Sequence, residues 1–212
     1  MDDKRIKQII NLNKKFYQQI GKDFSGKRQY PWKGWARIIK NFSDIKSVLD
    51  LGCGNGRFYQ FISKKYPNIE YMGIDTNNDL LDEAREKYGN EKFLNLDIFS
   101  DFKEIKDRYD LVVGFGVTHH IPDENLRNKW FLELVNFINP DGFLVLSFWE
   151  FEKEPGDYLV SWDNRKDTKR FCHQYSKSEI KEIIKEYKKA NLKLLDQFKD
   201  DNTNEYLVFG KL

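Results

Sequence analysis

The sequence predicts an α/β fold: a doubly wound, mostly parallel sheet with an N-terminal helical arm. Three observations carry this expectation. From Ser47 onward, apolar strand-like runs alternate with helix-period segments five times. The first of these runs ends in a cluster of glycines that leads straight into a helical pattern. The chain closes with two strand-like runs joined by a short polar connection, the pattern of a terminal hairpin. At 212 residues the chain fits one domain able to bury its own core. Residues 1–46 read as a basic helix and loop, and residues 47–212 as the α/β core.

In chain order, Ile6, Ile9, Ile10, Phe16, Tyr17 and Ile20 repeat near the helical period, lysines fill the other face, and Gly21 is a fitting stop. Phe24 to Trp35 holds glycines and a proline and reads as a loop. It interleaves Lys27, Arg28 and Lys33 with Tyr30, Trp32 and Trp35. Such cations hold phosphates or carboxylates and such rings stack on bases, although the tryptophans would equally serve to pin the arm to the body. Val48, Leu49 and Leu51 form the first strand, and Phe58, Phe61, Ile62 and Tyr66 the helix after it. Tyr71 to Asp75 is a second strand. Leu80, Ala84 and Tyr88 mark a helix capped near Asn77 or Asn78. Lys92 to Asp97 is a third strand, Asp101 to Ile105 a short helix, and Tyr109 to Gly116 a fourth strand that runs into Val117–Ile121.

Asp123 is a cap for a helix through Leu126, Trp130, Leu134 and Ile138, spaced i,i+4. Residues 139–142 read as a turn, and Gly142 to Trp149 as a central strand, apolar on both faces. Residues 150–175 read as irregular. Ser176 and Glu179 form a capping box for the last helix, and Leu192–Phe198 and Tyr206–Leu212 are the closing strands, joined through residues 200–204.

Composition excludes several classes. No apolar run is long enough to span a bilayer and the basic N-terminus opens no signal peptide, so neither membrane insertion nor export is expected. Cys53 and Cys172 are too few for a disulfide framework or a complete Cys-rich zinc site, so a reduced, cytoplasmic chain without a metal is expected. The net charge of +2 hides an asymmetry: residues 1–48 hold 12 Lys/Arg against 4 Asp/Glu, and the remainder 24 against 30. A basic arm on a mildly acidic body suggests a polyanionic partner, or simply a well-solvated helix.

The stretch S-V-L-D-L-G-C-G-N-G, Ser47 to Gly56, reads as strand, glycine turn and helix start, a unit that brings backbone N–H groups close to a ligand. Asp75 follows Gly56 by 19 residues, at the end of the second strand, where an acid accepts hydrogen bonds from ribose hydroxyls. The Gly-x-Gly-x-Gly spacing resembles the first motif of class I S-adenosylmethionine (SAM)-dependent methyltransferases. That resemblance implies a seven-stranded sheet of order 3-2-1-4-5-7-6 with the seventh strand antiparallel, on a Rossmann-like core. It implies SAM as cofactor, with Asp50, Gly52, Gly54, Gly56, Asp75, Thr76, Asp97, Ile98 and Gly116 around it. Asp50 would support the glycine loop or the methionine ammonium, and Asp97 with Ile98 would take the adenine.

Several segments resemble one subfamily more closely, the methyltransferases that esterify 5-carboxymethyluridine at the tRNA wobble position. Its F-S-x-T-R-x-x-P-W loop stands here as Phe24 to Trp32, its G-C-G-N-G as Gly52 to Gly56, and its double histidine as His119-His120. Its D-x-x-V-x-W stands as Asp157 to Trp162, and its R-Y-x-H as Arg170 to His173. Lys27, Tyr30 and Ser161 depart from that pattern.

The resemblance implies tRNA processing at the anticodon loop. Relatives in that family often work with a small zinc-binding activator, a partner this chain would either need or do without. A carboxylate with a pKa near ~4 is already ionised at neutral pH, so such a reaction needs a cation to orient it rather than a general base. Arg28 is the first candidate, with Arg170 and Arg165 as alternatives. His119 or His120 would orient the acceptor or hold the end of strand four. Lys27, Tyr30, Trp32, Trp162, Arg165 and His173 complete the expected substrate surface. Two other readings stay open: a small-molecule O- or N-methyltransferase on the same fold, and a non-catalytic SAM-fold subunit that binds RNA or activates an enzyme.

Overall fold

A computed structural model describes residues 1–89, 92–163, 165–201 and 203–212. The helices are α1 (Asp3–Gly26), α2 (Trp35–Ile38), α3 (Arg57–Ile62), α4 (Asn78–Tyr88), α5 (Glu124–Leu134) and α6 (Lys177–Lys189). The strands are β1 (Ser47–Leu51), β2 (Glu70–Asp75), β3 (Phe93–Asn95), β4 (Tyr109–Gly114), β5 (Ile138–Trp149), β6 (Gly156–Trp162), β7 (Arg165–Gln174), β8 (Leu192–Lys199) and β9 (Asn204–Lys211). Seven of them form one sheet of order β3-β2-β1-β4-β5-β9-β8. With β9 and β8 counted as its last two strands in reverse sequence order, this is the 3-2-1-4-5-7-6 arrangement. β1 pairs in parallel with both β2 and β4, and only β9 runs antiparallel to its neighbours β5 and β8.

The alternation in sequence explains this topology. β1, β4 and β5 are buried on both faces, as central parallel strands must be when helices cover both sides. One apolar layer packs α5 and α6 on the sheet through Trp130, Leu134 and Tyr187. The other packs α2, α3 and α4 through Trp35, Phe58 and Leu81. Asp123 and Asn77 cap α5 and α4 as their residue types predict, and Ser176 and Glu179 close both halves of the capping box on α6. Reversal of strand order between β1 and β4 opens a crevice at their carboxyl ends, where ligands bind in such sheets.

Four expectations require correction. α1 does not stop at Gly21 but runs to Gly26. Gly21 is buried there because α1 crosses the start of α4 closely: a Cβ at Gly21 would lie 3.2 Å from Asn77 Nδ2, and that amide donates to Tyr17 O. Thus Phe24 is helical rather than part of a loop. The fifth helix ends at Leu134, and Ile138 already pairs with Tyr109 in β5. The expected turn at residues 139–142 is an irregularity within that strand, with Asp141 at φ 61°. Finally, residues 150–175 are not irregular: β6 and β7 form a separate antiparallel hairpin. β7 opens with R-K-D-T-K-R, which hides it, while in β6 Tyr158, Val160 and Trp162 alternate on one face. Asn164, in the 150–175 stretch, and Asn202, in the 200–204 connection, lie outside the described residues. No described helix is long and apolar enough to cross a membrane.

Candidate active site

A cavity of about 540 Å³ lies at the carboxyl ends of β1, β2 and β4. α1 and the segment after it wall its outer side, contributing Asn13, Lys14, Tyr17, Arg28, Tyr30 and Trp32. The two ends of the cavity carry opposite charge.

Asp50, Asp75 and Asp97 line one end, each near the end of a strand. Gly52 and Gly54 line it with φ of 77° and 55°, values that favour glycine and leave the backbone bare toward the cavity. Asp75 ties this turn together: Oδ2 accepts from Gly54 N and Oδ1 from Asn77 N, each at 2.9 Å. Asp50 is buried at the end of β1 and accepts a hydrogen bond from the Tyr71 hydroxyl. Burial, with Asp75 nearby, pushes the Asp50 carboxyl up to about 7, against the effect of the Tyr71 bond and of Arg57. Asp97 accepts from Phe99 N at 2.9 Å and pairs with Lys14 Nζ at 2.8 Å, so α1 reaches over this end. Thr76, Ile98 and Gly116 also line the cavity. The Gly116 amide donates to Ser147 Oγ at 2.8 Å, and a Cβ at Gly116 would lie 3.2 Å from the Trp32 ring. Gly56 stands apart: it is not in the wall, and a Cβ there would press on Tyr88 and Phe93 at 3.0 Å, so its φ of 74° serves packing. Three carboxylates around a bare glycine turn suit a ligand that is cationic and carries ribose hydroxyls. SAM, with its ammonium and sulfonium, is such a ligand.

The other end is cationic. Arg170 is 5% exposed, with its guanidinium 4.8 Å from the Phe16 ring and 5.5 Å from the Trp149 ring. Its Nε and Nη1 have no hydrogen-bond partner among the described residues. Arg28 is half-buried, 5.2 Å from the Phe24 ring and 5.6 Å from Trp162, and has no ion-pair partner among the described residues. Burial lowers its pKa, Arg170 adds to the effect, and Tyr17 opposes it. His119 is buried with Nδ1 unpartnered. Burial first, and then His120 and both arginines, hold the His119 imidazole well below its usual range, so it is neutral. Two guanidinium groups without a counter-charge beside a neutral imidazole make a site for an anion.

Several expected substrate residues have other work. His120 lines the cavity, but both ring nitrogens are used: Nδ1 donates to Phe171 O at 3.0 Å and Nε2 accepts from the Tyr17 hydroxyl at 2.7 Å. Burial, with Arg170, lowers it to about 3. Trp162 is buried behind Arg28 and Arg170, outside the wall. Arg165 is outside the cavity and paired with Asp23 on α1. His173 sits between Asp157 Oδ1 at 2.7 Å and Glu179 Oε1 at 2.9 Å, fixing β6, β7 and α6 to one another. Lys27 and Tyr30 stand at the rim, the first paired with Asp163 at 2.5 Å and the second 83% exposed. His119, His120 and Cys172 form a buried trio with metal-ligand atoms within 4.8 Å of one another. The donor set suits a cation poorly, because His120 has no free nitrogen and Arg170 bonds the Cys172 sulfur.

The sequence reading missed Asn13, Tyr17, Arg57 and Trp149, all in the wall. Asn13 had a signal: it falls on the inward, apolar face of the helical repeat between Ile9 and Phe16. Arg57 directly follows the last glycine of the turn.

Comparison with known proteins agrees with this geometry. A family model described as a methyltransferase domain matches residues 49–144. A protein of Encephalitozoon cuniculi, assigned provisionally as a methyltransferase, is 28% identical over 211 residues, covering 93% of each chain. The tRNA (carboxymethyluridine(34)-5-O)-methyltransferase of Arabidopsis thaliana is 27% identical over 161 residues, 74% of this chain but 38% of that protein. The chain thus spans well under half the length of that plant relative. Among solved structures, an S-adenosylmethionine-dependent methyltransferase from Clostridium acetobutylicum shares the fold, with a TM-score of 0.65 at 16% identity over 93% of this chain and 98% of its own. Sheet order, glycine turn and matched domain together support a SAM-dependent methyltransferase of the class I fold, one that resembles the tRNA wobble-uridine carboxymethyl methyltransferases.

Proposed function

We propose that this enzyme methylates a carboxylate on tRNA, that of 5-carboxymethyluridine at the wobble position, and forms its methyl ester. The observation that carries this reading is the Arg170 guanidinium, buried at the cationic end with two donor nitrogens, Nε and Nη1, unpartnered among the described residues. A buried cation with open donors costs stability in the empty protein and is offset when an anion arrives. Sequence similarity to enzymes named for carboxymethyluridine supports the same acceptor.

In this reading Asp50 faces the cofactor's ammonium, Asp75 its ribose, and Asp97 with Ile98 its adenine. Thr76, Gly52, Gly54 and Gly116 border it. SAM supplies an activated methyl group. Arg170, with Arg28 beside it, grips one carboxylate oxygen and leaves the other free to attack. No group in the site has to remove a proton, which agrees with two histidines held neutral. The basic arm, whose Lys4, Lys7, Lys15 and Lys22 are exposed, follows the phosphate backbone of the anticodon stem and loop, and residues 1–46 and 47–212 act as one unit.

Labelled SAM tests the acceptor. Label is expected to enter tRNA that carries 5-carboxymethyluridine and not the same tRNA with unmodified uridine. Transfer to a small carboxylic acid and to neither RNA would instead support the small-molecule reading, which the modest, partly walled cavity also accommodates.

A further inference from the structure

We propose that Asn13, on the N-terminal helix, is a positioning residue that sets Arg170 for its acceptor. This rests on the reading that Arg170 holds the acceptor carboxylate.

Arg170 lies on β7, which pairs with β6, and among the described residues no strand lies beside its other edge. At Phe171 that edge is satisfied by side chains instead. Asn13 Oδ1 accepts from Phe171 N at 2.7 Å, and Asn13 Nδ2 donates to Phe171 O at 3.1 Å. One amide side chain thereby makes the pair of bonds a neighbouring strand would make. His120 Nδ1 donates to the same carbonyl at 3.0 Å. All these bonds are buried, since Asn13 is 7% exposed.

The consequence follows from the strand period. Arg170 and Cys172 flank Phe171 and point to the opposite face from it. Fixing both backbone groups of Phe171 therefore fixes the height and tilt at which Arg170 leaves the strand. The Arg170 head has little restraint of its own: it bonds the Cys172 sulfur two residues along the same strand, its Nε and Nη1 are unpartnered among the described residues, and its other neighbours are aromatic faces. Its placement depends on the backbone beneath it. A polar residue at this inward position of an otherwise apolar helix face is thereby explained. It also makes α1 part of the acceptor site, although Asn13 need not touch the acceptor.

A double-mutant cycle separates positioning from general support. The variants are Asn13→Ala, Arg170→Met and both together, assayed for acceptor kcat/KM, with cofactor affinity and melting temperature alongside. Asn13→Ala is expected to lower kcat/KM by roughly 10-fold or more, as loss of two buried bonds implies, with cofactor affinity within about twofold of the parent. In the Arg170→Met background the same change is expected to cost less than about twofold. Equal losses in the two backgrounds, or no loss in the parent, overturn the assignment while leaving the carboxylate reading in place. Parent-level activity in Arg170→Met overturns that reading and this inference with it. If Asn13→Ala fails to bind cofactor, Asn13→Ser carries the same cycle.

Discussion

Arg170→Met is expected to abolish nearly all methyl transfer while leaving the fold intact or firmer. Met keeps much of the stem that lies among Phe16, Trp149 and Trp162 and removes the charge. Two charge-assisted bonds to the acceptor are lost, about 3–6 kcal/mol in all, so kcat/KM falls by roughly 10²–10⁴-fold. The buried, unpartnered guanidinium disappears from the empty protein, so the melting temperature holds or rises. Arg170→Lys restores the charge but not the fork and recovers little. Arg28→Ala, at a half-exposed cation, has the smaller effect. Steady-state kinetics beside thermal melting checks all three. A variant that is both unstable and inactive would point to packing rather than acceptor grip.

Cofactor binding is expected to tighten as pH rises through about 7, and Asp50→Asn to remove that slope. Burial raises the Asp50 carboxyl from 3.8 to about 7, so below that pH the group is a neutral acid. An ammonium placed against it favours the carboxylate, so binding expels a proton at and below neutral pH. Calorimetry in buffers of different ionisation enthalpy reads that proton directly. Asp50→Asn is expected to weaken binding at pH 8 by roughly 10–100-fold, the value of one charge-assisted bond, and to flatten the pH profile.

The stability effect has the opposite sense. The folded pKa lies above the unfolded one, so the contribution of Asp50 is fully present below about pH 4 and is lost as pH rises toward 7. Asp50→Asn therefore stabilises the empty protein more at pH 8 than at pH 5, by roughly 2–3 kcal/mol. Unchanged binding at pH 8 in this variant would remove Asp50 from the cofactor site.

How much of this was legible depended on whether the signal was local. β1, β2, β4 and β5 are apolar runs closed by glycine, aspartate or helix caps, so they could be read one by one. The sheet order could not. It came from the resemblance carried by Gly52 to Gly56. The β6–β7 hairpin escaped because R-K-D-T-K-R has no apolar alternation. In β6 only Trp162 is buried, and among the described residues of β7 burial is confined to the closing ones, Arg170 to Gln174. Arg28 and Arg170 look alike in sequence. What distinguishes them is which guanidinium is buried with its donors open, and that depends on Phe16 and Trp149 meeting around Arg170. Likewise nothing local reveals that Asp157 and Glu179 occupy His173, or that Tyr17 and Phe171 occupy His120. Asn13 was the exception, a polar residue in an apolar repeat whose partner edge could not be known until β7 was seen.

The most direct test of the account is the chemical nature of the methylated bond. After transfer of labelled methyl to tRNA carrying 5-carboxymethyluridine, mild alkali should release the label as methanol and regenerate the carboxylate. Label that survives alkali, held on a base nitrogen, a carbon or a ribose hydroxyl, would contradict carboxylate methylation and the role given to Arg170.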